Sequence, residues 1–134
     1  MKTEAKTMKT SKQTVGKNGE SVACGFLTES GQQIVERNWR SGHLEIDIIS
    51  LKGNELHIVE VKSRTAPAAA RPELNVDYKK RERLIRAAKA YLHSSCRKKL
   101  PPELEIFFDV LTVVFDGNAT RVEYFPGAYI PIYL

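Results

Sequence analysis

The sequence predicts a single α/β domain in which a mixed β-sheet of about five strands is flanked by helices. Three observations predict this class. Residues 44–51 and 55–62 are apolar segments separated by a Gly-Asn pair, which is typical of a β-hairpin. Residues 76–94 carry apolar side chains at helical spacing. Residues 106–115 are almost continuously apolar, as in a central strand that is covered on both faces.

Length and composition indicate one globular domain. The chain has 134 residues, and we expect the domain to cover residues 17–134. Residues 1–16 are rich in Lys and Thr and lack apolar periodicity, so they are predicted to be a disordered basic tail. No apolar run is long enough to cross a bilayer, and no secretory signal is recognisable. Cys24 and Cys96 lack metal-binding spacing, which favours free thiols and a cytoplasmic protein without membrane contact.

The first predicted element is a helix over residues 18–30. Asn18 is a suitable N-cap and Gly31 a suitable C-terminal stop. Its apolar positions fall on one stripe, formed by Val22, Ala23, Phe26 and Leu27. Glu20 lies along the same stripe. A carboxylate on the face that packs against a sheet is unusual, and it marks Glu20 as a candidate functional residue.

The other elements follow from turn and breaker residues. Strands are predicted at residues 34–40, 44–51, 55–62, 106–115 and 121–125, and a second helix at residues 76–94. Residues 63–72, with Pro and consecutive Ala, are predicted to be a mobile connector, and a Pro-Pro pair interrupts the chain after the second helix. The resulting order is α-β-β-β-α-β-β.

The Gly-Asn loop sets the register of the hairpin. The pairs expected near the turn are Lys52–Glu55, Leu51–Leu56 and Ile49–Ile58. The same register places Asp47 opposite Glu60 and Glu45 opposite Lys62. One face of the hairpin is then apolar near the turn and charged at its far end. A bulge in either strand would change these outer pairs.

The expected pairing of Asp47 with Glu60 poses an electrostatic problem. Two carboxylates about 5 Å apart repel by roughly 3 kcal/mol at an effective dielectric constant of ~20. Protonation of one group, compensation by Lys62, or a divalent cation such as Mg²⁺ between the carboxylates would each relieve the repulsion. In the last case, Lys62 beside a metal-bound water could orient it and stabilise charge that develops on a phosphate.

Basic residues are concentrated in one part of the chain. The net charge is +5, yet residues 71–99 contain ten Lys or Arg against three Asp or Glu, a local charge of +7. Such a segment is expected where a protein contacts phosphate backbones, although a solvated helix face is the alternative. Helical spacing directs Lys79, Arg83 and Arg86 outward and turns Lys80 toward the sheet.

The acidic and basic residues of the hairpin also resemble a known motif. Asp47 followed by Glu60-Val61-Lys62 resembles the PD-(D/E)XK nuclease superfamily. The segments KNGESVACGFLTESG, ERNWR, LEIDIIS, HIVEVKSR, KKRERLIRAAKAYL and FFDVL together resemble the YraN family of uncharacterised bacterial proteins, over residues 16–129. That family is similar to archaeal Holliday-junction resolvases. The resemblance implies a restriction-endonuclease-like core.

The resemblance also implies roles for individual residues. It implies that Asp47 and Glu60 are metal ligands and that the carbonyl of Val61 is a further ligand. It implies that Lys62 is the catalytic lysine and Glu20 the acid of the first helix. Lys80 corresponds to the polar residue that many superfamily members carry on the helix after the lysine strand. Glu45 belongs to the Gly-Glu-Ile-Asp signature of the family, in which Leu44 here replaces the glycine. Asp109 lies in a buried run, and we expect a structural hydrogen-bonding role for it.

The expected function is that of a Mg²⁺-dependent (or Mn²⁺-dependent) endonuclease that hydrolyses phosphodiester bonds in DNA, including branched or junction DNA in repair or recombination. The residues expected to contact the nucleic-acid backbone are Arg64, Arg71, Lys79, Arg83 and Arg86. Related resolvases act as dimers, which makes a homodimer a further expectation. The alternatives are a non-catalytic nucleic-acid-binding protein on the same fold and a protein-interaction domain with a salt-bridged surface.

Overall fold

The computed structural model describes residues 19–66 and 77–129 with their side chains, and the backbone of residues 4–9. The described elements are β1 (Glu4–Lys9), α1 (Gly19–Glu29), β2 (Gln33–Ser41), β3 (Leu44–Lys52), β4 (Glu55–Thr65), α2 (Tyr78–Leu92), a 3-10 helix (Ser95–Lys99), β5 (Glu105–Asp116) and β6 (Ala119–Tyr129). The 3-10 helix is an element that the sequence did not predict.

The strands form one mixed sheet in the order β1-β6-β5-β4-β3-β2. All neighbouring strands are antiparallel except β4 and β5, which are parallel. Parallel neighbours need a long crossover, and α2 lies in the connection between these two strands. The predicted α/β class is therefore confirmed, and strands β2 to β6 with the two helices form a restriction-endonuclease-like core.

Each face of the sheet is covered by one helix. On one face, α1 buries the predicted stripe of Val22, Ala23, Phe26 and Leu27. On the other face, α2 buries Leu84, Ala87, Ala88 and Tyr91. Covering both faces explains the apolar run in β5, because its alternate side chains enter the two different cores. Neither helix is long and apolar enough to span a membrane.

The helix boundaries differ slightly from the prediction. Helix α1 starts at Gly19, and the predicted N-cap Asn18 lies outside the described residues. Gly31 ends the helix as predicted, with a φ of 89° that glycine adopts without strain. Helix α2 starts at Tyr78, because the Asp77 side chain accepts a hydrogen bond from the Lys80 backbone N–H at 2.9 Å and so caps the first turn.

Two strands extend beyond their predicted ends. β4 continues to Thr65 because it pairs with β5 along its whole length, so the predicted connector at residues 63–72 was wrong for its first residues. β6 runs from Ala119 to Tyr129, past a proline. The pairing of β6 with β5 shifts register near that proline, which accommodates its missing N–H. After the proline, the Gly127 N–H donates a hydrogen bond of 2.9 Å to Asp109 Oδ1.

The N-terminal segment adds a sixth strand. Glu4–Lys9 pairs antiparallel with β6, from Glu4↔Tyr124 to Lys9↔Ala119. This corrects the expectation that residues 1–16 are entirely disordered; residues 1–3 and 10–16 lie outside the described part of the chain. Apolar periodicity could not reveal this strand, because an edge strand is held by main-chain hydrogen bonds and commonly carries lysines.

Candidate active site

The register of the β3–β4 hairpin is as predicted near its turn. The pairs Lys52↔Glu55, Leu51↔Leu56 and Ile49↔Ile58 are all present. Gly53 has a φ of 61°, which suits the first position of a tight hairpin turn. The ladder stops at Ile48↔Val59, however. The predicted ladder pairs of Asp47 with Glu60 and Glu45 with Lys62 were therefore wrong.

The cause is a break in side-chain alternation at Asp47. Ile46 packs in the core under α2, whereas Ile48 packs in the core under α1. Residues two apart on a regular strand share a face, so the regular alternation of side chains is interrupted at Asp47. The Asp47 carboxylate turns into the gap between the strands, where its Oδ2 accepts a hydrogen bond from the Val61 N–H at 2.9 Å.

Asp47 and Glu60 nevertheless meet through their side chains. Their carboxyl groups are hydrogen-bonded to each other, and Glu60 is only 6% exposed. Lys80 Nζ lies 3.0 Å from Glu60 Oε1. Burial and the neighbouring Asp47 carboxylate raise the pKa of Glu60 to about 7, against the opposing effect of the Lys80 ammonium. When Glu60 is ionised, Asp47 and Glu60 together carry two negative charges. The ammonium group of Lys80 neutralises only one of them.

Glu20 approaches Asp47 from α1. Its backbone can lie this close because Gly19 has no side chain; a Cβ there would be 2.7 Å from Ser63 Cβ on β4. Burial and the Asp47 carboxylate raise the pKa of Glu20, while a hydrogen bond with the Asn38 side chain lowers it. Glu20, Asp47 and Glu60 thus belong to one acidic cluster, hereafter the acid cluster, with Asp47 between the other two.

Asn38 was not identified from the sequence. It is the one non-glycine residue of the described chain with positive φ, 51°, and it lies in the middle of β2. Its neighbours Arg37 and Trp39 pair with Ile48 and Ile46, which places Asn38 across from Asp47. Asn tolerates this conformation better than most residues. A strained position beside an acid cluster is a feature often associated with functional sites.

The other predicted residues of the hairpin have different surroundings. Glu45 pairs with Arg40 on β2, with Arg40 Nη2 3.2 Å from Glu45 Oε2, and not with Lys62. Lys62 is half-buried and follows Glu60 by two positions on β4, so both side chains leave the same face of the strand. It is next to the acid cluster by its position on the strand, although it does not line the cleft described below.

A cleft of about 240 Å³ opens at the acid cluster. It is lined by His43, Leu44, Glu45, Asp47, Glu60, Lys80, Arg83 and Leu84. The carboxylates come from β3 and β4, and the cations come from α2. His43 belongs to the β2–β3 turn and was not predicted, because a single histidine in a turn gives no signal in a sequence. The cleft combines groups that can hold a cation with groups that can hold an anion.

Four of the other basic residues that the sequence singled out are exposed. Lys79, Arg83 and Arg86 are exposed on α2, and Arg64 is exposed near the end of β4. Arg71 lies outside the described residues. The spacing therefore oriented α2 correctly for Lys80, toward the sheet, and for the exposed Lys79 and Arg86, whereas Arg83 is exposed but also lines the cleft. Lys79, Arg83, Arg86 and Arg64 are hereafter called the basic surface.

The acid cluster fits a hard divalent cation better than a transition metal. Across residues 19–66 and 77–129, no three or more His, Cys, Asp or Glu side chains come together in the geometry of a complete metal site. Mg²⁺, by contrast, usually takes only one or two carboxylates and fills its other positions with water and phosphate oxygens. Asp47 and Glu60 are two carboxylates of this structure that could hold such a cation.

A separate polar network is buried on the other side of β5 and β4. His57 Nδ1 lies 2.6 Å from Asp109 Oδ2, and Nε2 lies 3.1 Å from Glu55 Oε1. The Tyr124 hydroxyl also donates to Asp109, and it accepts a hydrogen bond from Gln32 Nε2 at 3.0 Å. Asp109 thus accepts from two side chains and from the Gly127 N–H. This agrees with the structural role expected for Asp109.

The fold and the acid cluster define a class: an α/β protein with a restriction-endonuclease-like core and a carboxylate pair at the open end of its central hairpin. The chain belongs to the uncharacterised protein family UPF0102, whose model matches residues 19–113. This is the YraN family that the sequence motifs indicated.

Relatives from several bacteria match most of the chain. A UPF0102 protein from Bacteroides thetaiotaomicron is 41% identical over 117 residues, which is 87% of this chain and 93% of the relative. A UPF0102 protein from Caldanaerobacter subterraneus subsp. tengcongensis is 37% identical and covers 86% of this chain and 91% of its own length. A UPF0102 protein from Phocaeicola vulgatus is 35% identical over 116 residues, which is 87% of this chain and 92% of the relative.

The repulsion in the acid cluster predicts a stabilising substitution. The pKa of Glu60 is raised from 4.5 to about 7, so its contribution to stability is present below about pH 4.5 and is lost as the pH rises through about 7. In the metal-free protein, Asp47→Asn should raise the free energy of unfolding by about 1–2 kcal/mol at a pH of about 8. An asparagine can still accept from Val61 and can also donate to Glu60.

Urea unfolding at a pH of about 5 and about 8 measures this effect. The parent protein should lose stability between the two pH values, and Asp47→Asn should lose less. Asp116→Asn, at the exposed end of β5, removes the same charge far from Glu60 and is the matched control. An Asp47→Asn protein less stable than the parent at the higher pH would contradict the assignment of repulsion.

Proposed function

We propose that this protein is a Mg²⁺- or Mn²⁺-dependent endonuclease that hydrolyses phosphodiester bonds in DNA. One observation carries the proposal: the buried Glu60 carboxyl group interacts with Asp47 in a cleft that Lys80 and Arg83 also line. Such a site brings a cation ligand set and phosphate-binding groups within one small volume. Stability alone does not account for the repelling carboxylates, because they weaken the metal-free fold.

In this proposal, Asp47 and Glu60 hold the cation, and the Val61 carbonyl is a further ligand. The cation would supply Lewis-acid activation of water and neutralise charge on the phosphate. The hydrogen bond from the Val61 N–H to Asp47 Oδ2 fixes one carboxylate oxygen and leaves the other for the cation. Glu20, held by Asn38, would bind the cation through water or a second ion.

Lys62 would orient the attacking water or stabilise the negative charge that develops on the phosphate. Its ammonium group is on the same face of β4 as Glu60, two residues further along the strand. The strand is paired on both sides at Val59, and with β5 as far as Thr65. The lysine backbone is therefore held rigidly, which is the condition for electrostatic stabilisation of a transition state.

The DNA backbone would lie across α2 and the end of β4. Lys79, Arg83 and Arg86 are exposed on α2, and Arg64 is exposed on β4. Phosphate contacts of this kind position a nucleic acid but do not read its sequence. The similarity of the family to resolvases suggests three further proposals. The substrate is branched or junction DNA, the process is repair or recombination, and the acting form is a homodimer.

A calorimetric titration with Mg²⁺ or Mn²⁺ tests the proposed cation site. The parent protein should show one binding event, and Asp47→Asn should weaken it by about tenfold or more, because a charged ligand is replaced by a neutral one. Asp116→Asn is the control for the loss of charge. Identical titrations of the parent and Asp47→Asn proteins would exclude the cation site at this position.

A second candidate function is nucleic-acid binding without catalysis. It is favoured by the ion pair between Lys80 and Glu60, which already neutralises part of the acid cluster without a metal. Under this alternative, DNA binds to the basic surface with equal affinity in the presence and absence of Mg²⁺. The affinity of the Asp47→Asn protein for DNA should then equal that of the parent, and neither protein should cut the DNA.

A further inference from the structure

Lys80 occupies a position that a bound cation would also use. Its ammonium nitrogen lies 3.0 Å from Glu60 Oε1, on the carboxyl group that also contacts Asp47. The two partners differ in accessibility, because the side chain of Lys80 is 43% exposed and that of Glu60 is 8% exposed. Glu60 is therefore fixed in the protein interior, whereas Lys80 can withdraw into the solvent-filled cleft.

We propose that Lys80 exchanges its partner when a divalent cation binds. In the metal-free protein, its ammonium group pairs with Glu60 and neutralises part of the negative charge of Asp47 and Glu60. When the cation occupies the site, Lys80 leaves Glu60 and binds a backbone phosphate of the DNA in the same cleft. This inference rests on the proposed function. It means that Lys80 couples the binding of the metal to the binding of DNA.

Charge balance is the first argument for the exchange. Two ionised carboxylates with one ammonium group carry a net charge of −1, and the same carboxylates with one divalent cation are neutral. Lys80 already occupies Glu60 Oε1, and an ammonium group and a divalent cation on the same carboxylate would lie close together, where like charges repel strongly. The divalent cation is the stronger ligand for the carboxylates, so the ammonium group is the one that leaves.

Geometry provides the second argument. Arg83 lies one helical turn after Lys80 on α2 and lines the same cleft. The backbone of this turn is fixed, since the Lys80 N–H donates to the capping carboxylate of Asp77. A released Lys80 side chain therefore stays beside Arg83 at the mouth of the cleft. Two adjacent cations at that place form a site for a phosphate group next to the bound metal.

The exchange predicts effects of opposite sign for one substitution. Lys80→Met removes the competitor for the carboxylates, so the protein without DNA should bind Mg²⁺ more tightly. The same change removes a phosphate ligand that only the metal-bound protein offers. The increase in DNA affinity that Mg²⁺ causes should consequently shrink, because coupling between two ligands is reciprocal.

The first measurement is a calorimetric titration with Mg²⁺ alone, at a pH well above the pKa of Glu60, which is about 7. Lys80→Met should lower the dissociation constant for Mg²⁺ by roughly three- to tenfold. Lys80→Gln should change it in the same direction. The matched control is Lys79→Met, which removes an adjacent but outward-facing charge on the same helix and should leave the constant within about twofold of the parent value.

The second measurement is the affinity for a branched DNA duplex with and without Mg²⁺, in a Lys62→Ala background so that the DNA stays intact. The ratio of the DNA affinity with Mg²⁺ to the DNA affinity without Mg²⁺ should be roughly three- to tenfold smaller for Lys80→Met than for the parent. Lys79→Met should lower both affinities similarly and preserve their ratio.

The outcomes separate this inference from the proposed function. Tighter Mg²⁺ binding together with a smaller Mg²⁺-induced gain in DNA affinity supports the exchange. If Lys80→Met binds Mg²⁺ no more tightly than Lys79→Met, the exchange is overturned. The cation site is still supported in that case if Asp47→Asn abolishes Mg²⁺ binding. A parent protein that binds no Mg²⁺ overturns both.

Discussion

Lys62→Ala is expected to abolish metal-dependent DNA cleavage while sparing DNA binding. Under the proposed function, this lysine supplies positive charge where the phosphate becomes more negative in the transition state. Loss of one such group typically lowers a rate by about 10²–10³-fold. DNA binding depends mainly on the exposed cations of α2 and should weaken by only about twofold. Single-turnover cleavage and gel-shift titration of the same DNA measure the two effects separately.

The control for this experiment is Lys52→Ala, at the opposite end of the hairpin. Lys52 is exposed and carries the same charge, but it is paired with Glu55 beside the turn, away from the acid cluster. Its removal should change neither the cleavage rate nor the affinity by more than about twofold. Equal cleavage by the Lys62→Ala and parent proteins would show that Lys62 is not a catalytic residue.

Asp109→Ala is expected to cause the largest loss of stability. Asp109 is 1% exposed and accepts hydrogen bonds from His57, Tyr124 and the Gly127 N–H. Its removal leaves two buried side-chain donors and one half-buried backbone N–H without this acceptor. The loss of one partner from a buried charged network costs about 3–5 kcal/mol. Urea denaturation measures this, and Asp116→Ala on the same strand, which is exposed, should cost less than about 0.5 kcal/mol.

The effect of Asp109→Ala should depend on pH. Burial lowers the pKa of His57, but Asp109 and Glu55 outweigh burial and raise it above the ordinary value of 6.5. The charged His57 therefore stabilises the fold below about pH 6.5, and this contribution is lost as the pH rises through the raised pKa. The destabilisation should be larger at a pH of about 6 than at about 9. A loss that is independent of pH would contradict the His57–Asp109 pairing.

The parts of the fold that the sequence predicted are those set by local patterns. The Gly53-Asn54 turn fixed the register of the hairpin, because a two-residue loop permits one pairing. The 3.6-residue period oriented α2 and placed Lys80, but not Lys79, toward the sheet. The apolar run of β5 predicted a strand covered on both faces. Each of these signals lies within a window of a few residues.

The geometry of the acid cluster could not be predicted in this way. A regular hairpin would place Asp47 on the ladder opposite Glu60, whereas the ladder ends at Ile48↔Val59 and the two side chains meet beyond it. Side-chain alternation is interrupted at Asp47 because Ile46 and Ile48 pack in different cores, and those cores involve both helices. Asn38 and His43 join the site from β2 and its turn, and no short motif connects them to the hairpin.

Strand ends were also beyond local prediction. β6 continues past Pro126 because Asp109, on a neighbouring strand, binds the Gly127 N–H. β4 continues to Thr65 because β5 supplies a parallel partner along its whole length. β1 forms because β6 has a free edge. In each case the partner is distant in sequence, so a pattern within the strand itself does not show where the pairing stops.

Under the proposed function, Asp47 and Glu60 hold the cation that DNA cleavage requires. The most direct measurement is a cleavage panel of branched and linear DNA with Mg²⁺, with Mn²⁺ and with a chelator, run for the parent and Glu60→Gln proteins side by side. The parent protein should cleave at least one substrate with Mg²⁺ or Mn²⁺ and none with the chelator, and Glu60→Gln should cleave at least about a hundredfold more slowly. Equal cleavage by the two proteins, or no cleavage of any substrate by the parent, would contradict the proposed function.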